Sequence, residues 1–501
     1  MKQAKYLLST VLAALLLAGC NGNGGDTSSS INPQTPLSEG DIQRDENGQI
    51  IYNNIELKMW SVTTGDDAKT QDEIITEFNN TYKGMINVTT EHISRYDMEQ
   101  MLETTMQFDQ ENAPDLLFSH GSRSSEYNSK GWLAPIESAI EKAEILIDKD
   151  DYVSSLLDAV SVNGYLYGLP QDVHSTMIMV RTDILEKNNL KMPTNYQELV
   201  DVCEEAISKA KNGQLMIRGE NSDGYNATEW RKAPSTDPYY PFPMAYGDMW
   251  VHEFLGYTAA IQNGTKLIDE NGMPAWNSKE MENGLQLLRD FVMPSSTSTN
   301  KSAITKAYNA EYDVGKQPFA SGTCIFKLLG PWEYINDVAE FDKMLAKDGG
   351  SQNIETISLS KLFAKDQSKD YASKVKGEGH AFMMMSTLES TTKKCASMIF
   401  ADWMVNNAGI KWAERGHLPS LKSVEQSEDY RNSDSYKNYI SNWGTCDDYV
   451  VFPATKYYST IDSHFKTCVQ QAMATQFKDT SIKSIIEEQE QDCMDYIELY
   501  A

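Results

Sequence analysis

The alternation of strand and helix patterns over residues 55–118 constrains the fold more than any other feature of the sequence. Strand patterns at 55–60, 85–90 and 115–118 enclose two stretches, 66–82 and 96–108, in which apolar residues recur at helical spacing. Two strands that run parallel need a crossover between them, and a helix is the usual crossover. The order β-α-β-α-β therefore predicts an α/β fold with a mostly parallel sheet covered by helices.

Ligands of such sheets bind beyond the carboxyl ends of the strands. The residues at or just after the three predicted strand ends are Trp60 with Ser61, Arg95, and Ser119 with His120. We expect these side chains to lie near one another at one edge of the sheet.

The length and composition of the chain point to more than one core. The 501 residues include 40% hydrophobic and 23% charged residues, which is ordinary for a globular protein. A chain of this length exceeds the size at which a single core stops growing, so two lobes are expected. The net charge of −28 disfavours nucleic-acid partners and electrostatic binding to anionic lipids.

The N-terminus has the pattern of an export signal. Lys2 and Lys5 precede an apolar run over 6–17, which is short for a membrane span. The sequence Leu-Ala-Gly-Cys that ends at Cys20 resembles a bacterial lipobox, which implies cleavage of residues 1–19 and lipid attachment at Cys20. The alternative is an ordinary cleaved signal in which Cys20 is incidental. Residues 20–50 are small and polar, so we expect a flexible tether, and no membrane-spanning helix follows it.

The other six cysteines form no CxxC pair and no compact framework, so mostly free thiols are expected; they are Cys203, Cys324, Cys395, Cys446, Cys468 and Cys493. Catalytic motifs are equally scarce. His252-Glu253 lacks the second histidine of a zinc-protease motif, and neither a G-x-S-x-G elbow nor a P-loop occurs. We therefore expect no catalytic residue, no metal and no cofactor, although a glycosidase carboxylate pair would leave no sequence signal.

Eight segments, in order, resemble one family. They are NGYLYGLP at 163–170, the strand at 177–183, the helix at 184–190, the helix start at 192–199, FASGTCIF at 319–326 with LGPW at 329–332, the strand at 379–385, the helix at 395–405, and the segment 409–420. Together they resemble the extracellular solute-binding proteins of ATP-driven importers, in particular the sugar-binding type related to maltose-binding protein. Val180-Arg181 and Asn195-Tyr196 depart from the family pattern of Tyr-Asn and Thr-Trp.

The resemblance implies a two-lobed fold of the type II periplasmic-binding kind, in which each lobe is a mostly parallel sheet flanked by helices. Chain crossovers are expected near 170–176, 379 and 449–453. Lobe one would comprise 55–171 plus 381–448, and lobe two 172–380 plus 449–501. The ligand would bind in the cleft between the lobes.

The resemblance also implies a function. It indicates a monomeric lipoprotein, not an enzyme, that is anchored to the cell membrane and faces the extracellular side or the periplasm. The protein would capture a carbohydrate, with an oligosaccharide favoured, and deliver it to the permease subunits of an ABC importer. An exported lipoprotein enzyme acting on glycans is the alternative, and an adhesive surface lipoprotein ranks third.

Sugar rings stack on aromatic planes and pair their hydroxyl groups with polar side chains. The stacking candidates are Trp60, Trp250 and Trp332, each of which could instead pack in a core. The polar candidates are Ser61, Arg95, His120, Arg123, Asp172, His174 and Glu333, of which the two histidines could equally be ordinary exposed residues. Alignment with the last crossover of the family adds Tyr457, Tyr458 and Asp462, where Asp462 takes the place of a stacking tryptophan.

Overall fold

Strands and helices alternate in the predicted order, and the five elements predicted for residues 55–118 end within two residues of the observed ones. The computed structural model describes residues 36–219, 229–236, 238–244, 249–298, 300–305, 319–345 and 348–500. Cys20 and most of the predicted tether lie outside this part.

The strands are β1 Ile55–Ser61, β2 Ile86–His92, β3 Leu116–His120, β4 Ser161–Val162, β5 Tyr165–Leu166, β6 Gly168–Pro170, β7 Asp172–Val173, β8 Met177–Arg181, β9 Met216–Gly219, β10 Glu229–Lys232, β11 Phe326–Leu329, β12 Ile354–Ser358, β13 Val375–Lys376, β14 His380–Met384, β15 Leu418–Pro419 and β16 Tyr449–Val450. The helices are α1 Gly65–Thr81, α2 Arg95–Phe108, α3 Ser124–Ser129, α4 Glu137–Lys142, α5 Ser154–Ala159, α6 Thr182–Lys187, α7 Tyr196–Lys211, α8 Met249–Ile261, α9 Lys279–Val292, α10 Pro331–Met344, α11 Thr391–Asn407, α12 Gly409–Ala413, α13 Lys422–Gln426, α14 Glu428–Asn432, α15 Asp434–Asn438, α16 Tyr458–Met473 and α17 Ile482–Tyr500.

The first sheet has the order β2-β1-β3-β14-β6. Strand β1 runs parallel to β2 and β3, whereas β14 runs antiparallel to both β3 and β6. Apolar side chains of this sheet and of the helices that cover it form the first core, which includes Leu57, Phe78, Leu117, Phe382 and Phe400. The register places His380 directly opposite His120, so the amino end of β14 lies at the carboxyl end of β3.

A second core forms around the antiparallel sheet β11-β8-β12 and the helices α7, α8, α9, α16 and α17. The start of α7 shows how the sequence sets these elements. Asn195 caps the helix by accepting a hydrogen bond from the backbone N–H of Glu198, at 3.0 Å. Tyr196 then packs inside the core and donates its hydroxyl proton to the Leu287 carbonyl oxygen, at 3.0 Å. The departure Asn195-Tyr196 thus keeps a capped helix with a buried aromatic residue.

Short strands join the two cores. The chain leaves the first sheet at β6, passes through β7, and enters the second sheet at β8. Strand β7 pairs antiparallel with β15, and β13 pairs parallel with β16. Tyr430, Ile440 and Trp443 pack in the second core, although the division drawn from the sequence assigns their segment to lobe one.

Five cysteines are buried free thiols, as expected: Cys203, Cys324, Cys395, Cys468 and Cys493. The side chain of Cys446 lies outside the described part. Within the described ranges, no helix combines the length and the apolar character that a membrane crossing requires.

Candidate functional site

A cleft of about 380 Å³ opens between the carboxyl edge of the first sheet and helices of the second core. Segments that follow β1, β2 and β3 supply one side, as the parallel order of those strands requires. Helices α8, α10 and α16 supply the other side. The lining residues are Val62, Thr63, Thr64, Asp67, Ser94, Arg95, Tyr96, His120, Arg123, His174, Glu253, Phe254, Trp332, Glu378, His380, His417 and Tyr458.

Six of the residues named from the sequence line this cleft together: Arg95, His120, Arg123, His174, Trp332 and Tyr458. Arg95 and His120 lie there because each stands at a carboxyl strand end. Trp332 lies there because Gly330 and Pro331 begin α10 at the cleft.

The other named residues lie elsewhere. Trp60 is buried in the first core, because the end of β1, residues 59–61, is covered on both faces of the sheet. Ser61 is also buried and donates a hydrogen bond to Gln71 Oε1, at 2.7 Å. Glu333 lines a neighbouring depression of about 270 Å³ next to Trp332, and Tyr457 lines a separate one of about 300 Å³. Helix α8 contains Trp250, whose side chain lies outside the described part.

Two arginines of the first-sheet side reach the second side. Arg95 Nη2 lies 3.8 Å from Glu253 Oε2 of α8. Burial by itself lowers the pKa of Arg95, but the Glu253 carboxylate outweighs it and the pKa is raised. Arg123 donates from Nη1 to Glu99 Oε2, at 2.7 Å, and to Ser459 Oγ, at 3.3 Å. The contacts Arg95–Glu253 and Arg123–Ser459 cross the cleft, so they depend on the relative placement of the two sides, whereas Glu99 lies on α2 on the same side as Arg123.

A buried charge network lies beneath Arg95. Glu253 carboxylate oxygens lie 3.0 Å from Lys466 Nζ and 3.4 Å from Lys376 Nζ, and Lys376 also contacts Glu378, at 3.1 Å. Burial alone would raise the pKa of Glu253, but the two ammonium groups and Arg95 hold it well below its usual range. Asp462 accepts a hydrogen bond from Lys466, and burial together with the Glu253 charge raises the pKa of Asp462. The predicted site residue Asp462 thus belongs to this network and not to the cleft surface.

Asp172, His174, His380 and His417 form a buried cluster at the floor of the cleft. Asp172 Oδ1 lies 3.3 Å from His174 Nδ1 and 3.2 Å from His380 Nδ1. His417 Nδ1 lies 3.3 Å from His174 Nδ1 and 3.8 Å from Asp172 Oδ1. These ligand atoms all fall within 4.8 Å of one another, an arrangement that could hold a metal ion. His174 is therefore a buried residue, whereas the sequence left open that it is an exposed one.

Desolvation sets the protonation of nearby histidines. Burial lowers the pKa of His120 well below its usual range, with help from the charge of His380, so His120 is neutral. Burial also lowers the pKa of His174, to about 4. The carboxyl group of Asp172 stays ionised, because His380 and His417 outweigh the burial that would raise its pKa.

Two aromatic rings of the cleft remain accessible. Tyr96, at the start of α2, is 79% exposed. Trp332 is half-buried, and its ring centroid lies 6.4 Å from that of Phe254 and 5.4 Å from that of His174. The sequence argument missed Tyr96 although the residue directly follows Arg95. It also missed Asp67, Glu253, Phe254, His380 and His417 as lining residues, although His380 and His417 lie in two of the segments that carry the family resemblance.

Comparison with known proteins agrees with this architecture. The family described as bacterial extracellular solute-binding protein matches residues 73–438. An uncharacterised ABC transporter extracellular-binding protein of Pyrococcus horikoshii is 24% identical over 224 residues, which are 44% of this chain. That match spans about half, 47%, of the length of the curated relative.

Solved structures match over nearly the whole chain. The GacH receptor of Streptomyces glaucescens, solved unliganded and with acarbose, has a TM-score of 0.64 at 15% identity and covers 89% of this chain and 100% of its own. The substrate-binding protein Lmo0181 of Listeria monocytogenes, in complex with cycloalternan, has a TM-score of 0.61 at 16% identity, with 89% and 99% covered. The sugar-binding protein MalE of Xanthomonas citri has a TM-score of 0.64 at 14% identity, with 89% and 100% covered.

These likenesses confirm the predicted two-lobed α/β fold, with the cleft between the lobes. The family match covers well over half of the residues and includes the segments in which the resemblance was first seen. This chain therefore belongs to the family of bacterial extracellular solute-binding proteins.

Proposed function

We propose that this protein captures a carbohydrate in the inter-lobe cleft and delivers it to the permease of an ABC importer. The observation that carries the proposal is the lining of the cleft, where the accessible rings of Tyr96 and Trp332 stand among charged and hydroxyl-bearing side chains. Aromatic planes suit the apolar faces of sugar rings, and charged groups such as Arg95 and Glu253 suit their hydroxyls. Acarbose and cycloalternan, named for two structural neighbours, support this ligand class.

The lobes would close on the ligand by a hinge movement. We assign 55–171 and 381–427 to lobe one and 172–380 and 449–500 to lobe two, and add 428–443 to lobe two because that segment packs in the second core. Arg95 and Glu253 come from different lobes, so their 3.8 Å approach depends on closure. A ligand favours closure only if it binds the closed form more tightly than the open form.

The N-terminal pattern completes the proposal. Cleavage before Cys20 and lipid attachment to that residue would anchor a monomer at the outer face of the membrane, within reach of the permease. An unlipidated Cys20 in purified membranes, shown by mass spectrometry of the N-terminal peptide, would refute the anchor without affecting the binding site.

The test of ligand class is thermal melting with a panel of mono- and oligosaccharides, with product analysis on the same samples. A binding protein gives a rise of the melting temperature that depends on sugar concentration, without turnover. No rise with any sugar would refute the carbohydrate proposal. Turnover of a sugar would favour the alternative, a glycan-active enzyme.

The test of the site uses the sugar that gives the largest rise. We expect Tyr96→Ala and Trp332→Ala each to weaken its binding by about 1–3 kcal/mol, by analogy with the stacking of bases on aromatic side chains. Phe108→Ala is the matched control, because Phe108 ends the same helix as Tyr96 and is 78% exposed away from the cleft. Equal affinity for all three variants and the wild type would refute the assignment of these two rings.

A further inference from the structure

We propose that Asp172, His174, His380 and His417 hold a divalent transition-metal ion, for which Zn²⁺ is the best fit. Three imidazoles and one carboxylate are ligands that Zn²⁺ takes, and a set of four protein ligands is typical of closed structural sites. All four residues are buried, and their ligand atoms converge on one point beneath the cleft. This site goes beyond the capture of a carbohydrate and needs no sugar.

Four of the six distances between the ligand atoms are close to those of tetrahedral coordination, and all six are within 4.8 Å. Bonds of about 2.0–2.1 Å from Zn²⁺ to nitrogen or oxygen place neighbouring ligand atoms about 3.3–3.5 Å apart. Asp172 Oδ1 lies 3.3 Å from His174 Nδ1, 3.2 Å from His380 Nδ1 and 3.8 Å from His417 Nδ1. The two nitrogens of His174 and His417 are 3.3 Å apart.

Hydrogen bonds within the cluster cannot satisfy all of these atoms at once. His174 Nδ1 has two neighbours at 3.3 Å, an acceptor oxygen of Asp172 and the Nδ1 atom of His417. A proton on His174 Nδ1 can point well at only one of them. A metal ion instead accepts the lone pairs of all these atoms at once.

Outer partners orient the ligands as metal sites require. His417 Nε2 lies 3.3 Å from Asp67 Oδ2, which favours a proton on Nε2 and leaves the lone pair on Nδ1. Trp412 Nε1 donates to Asp172 Oδ2, and the backbone N–H of His380 donates to Asp172 Oδ1, at 3.2 Å. A carboxylate, an indole and a backbone amide thus support two of the four ligands.

Backbone pairing between short strands holds the four ligand residues close together without a metal ion. The antiparallel pairs Asp172–Pro419 and Val173–Leu418 bring His417 to the position across from His174. His174 forms a bridge with Glu378, and this contact places His380 two residues further along the same strand segment. Because these segments connect the two cores, an ion here would fix the point from which the lobes move.

The first experiment uses protein treated with a chelator and then dialysed. Titration with Zn²⁺ should show one ion bound per chain by calorimetry. Co²⁺ in place of Zn²⁺ should give the intense visible absorption bands of tetrahedral coordination. Absence of saturable Zn²⁺ binding, or only the weak bands of octahedral Co²⁺, would overturn the proposal.

Variants locate the ion. We expect His174→Gln and His417→Gln each to weaken Zn²⁺ binding more than tenfold, and Asp67→Asn to weaken it about 10- to 100-fold as an outer partner. His464→Gln is the control, since His464 lies on α16 outside the cluster. Melting curves recorded without metal verify that each variant folds. If a variant does not fold, the Co²⁺ spectrum of the wild-type protein decides whether the cluster binds a metal. Unchanged Zn²⁺ affinity in folded His174 and His417 variants, or an equal loss in the control, would refute the site.

Discussion

Replacement of Glu253 by glutamine should destabilise the protein strongly, although the two side chains have nearly the same shape. Glu253 Oε atoms lie 3.0 Å from Lys466, 3.4 Å from Lys376 and 3.8 Å from Arg95. At an effective dielectric constant of about 20, each of these contacts amounts to roughly 4–6 kcal/mol of attraction before desolvation is counted. Glutamine removes the attraction and leaves the desolvated ammonium groups in place.

The net loss is smaller than that sum. Asp462 and Glu378 still neutralise part of the positive charge, and Asp462 is relieved of a repulsive neighbour. Removal of one partner from a buried ion pair typically costs about 3–5 kcal/mol, and we expect a loss of this size. Urea unfolding followed by circular dichroism measures it as a lower midpoint at an unchanged slope.

A matched control separates burial from charge. Glu77 pairs with Lys411 at the surface, where both side chains are about half exposed. An exposed pair contributes about 0–1 kcal/mol, so Glu77→Gln should change little. Equal and small losses for the two variants would refute the idea that the buried network stabilises the fold.

Three further predictions follow from particular sites. The pKa of Glu253 is lowered in the folded state, so its contribution to stability is complete above the unfolded pKa of about 4.3 and is lost as the pH falls through the lowered folded pKa. The urea midpoints of wild type and Glu253→Gln should therefore begin to approach each other below about pH 4 and should meet only well below that pH. Gly416 has φ +90°, and a Cβ there would lie 2.4 Å from the carbonyl carbon of Pro331. Gly213 has φ +63° but open space around it, so Gly213→Ala should lower the free energy of unfolding only by the about 1–2 kcal/mol of left-handed strain, and Gly416→Ala should lower it more. Equal shifts of the melting temperature would contradict this. Burial raises the pKa of Cys324 to about 12, so a thiol reagent should leave its thiol unmodified in the native protein and modify it in denaturant. Mass spectrometry of the peptide that contains Cys324 measures this, and modification in the native state would contradict its burial.

The first sheet could be predicted because its signal is local. Each of its first three strands follows the hydrophobic pattern, and the helices between them fix the parallel order, which in turn places Arg95 and His120 at the cleft. The burial of the end of β1 could not be predicted, because Glu56 and Lys58 give the strand a polar face that is covered only from residue 59 onward. Trp60 and Ser61 are therefore buried although they stand at a strand end.

The histidine cluster has no local signal at all. Asp172 and His417 meet because β7 pairs with β15. This pairing covers only two residues of each strand, which is too short for a periodic pattern in the sequence to predict it. His252-Glu253, which lacks the second histidine of a zinc-protease motif, does not belong to this cluster. Glu253 instead faces lysines of distant segments, whose approach depends on the packing of α8 against α16 and β13.

The position of β14 in the first sheet governs the order in which this chain can fold. Strand β14 lies between β3 and β6, so both of these strands have an unpaired edge until residues 380–384 are available. Because the chain is synthesised from its N-terminus, the first sheet cannot be completed until more than two hundred residues after β6 have been made. Until then the edges of β3 and β6 are open to pairing with other chains, so the topology itself creates a risk of aggregation while the chain is incomplete.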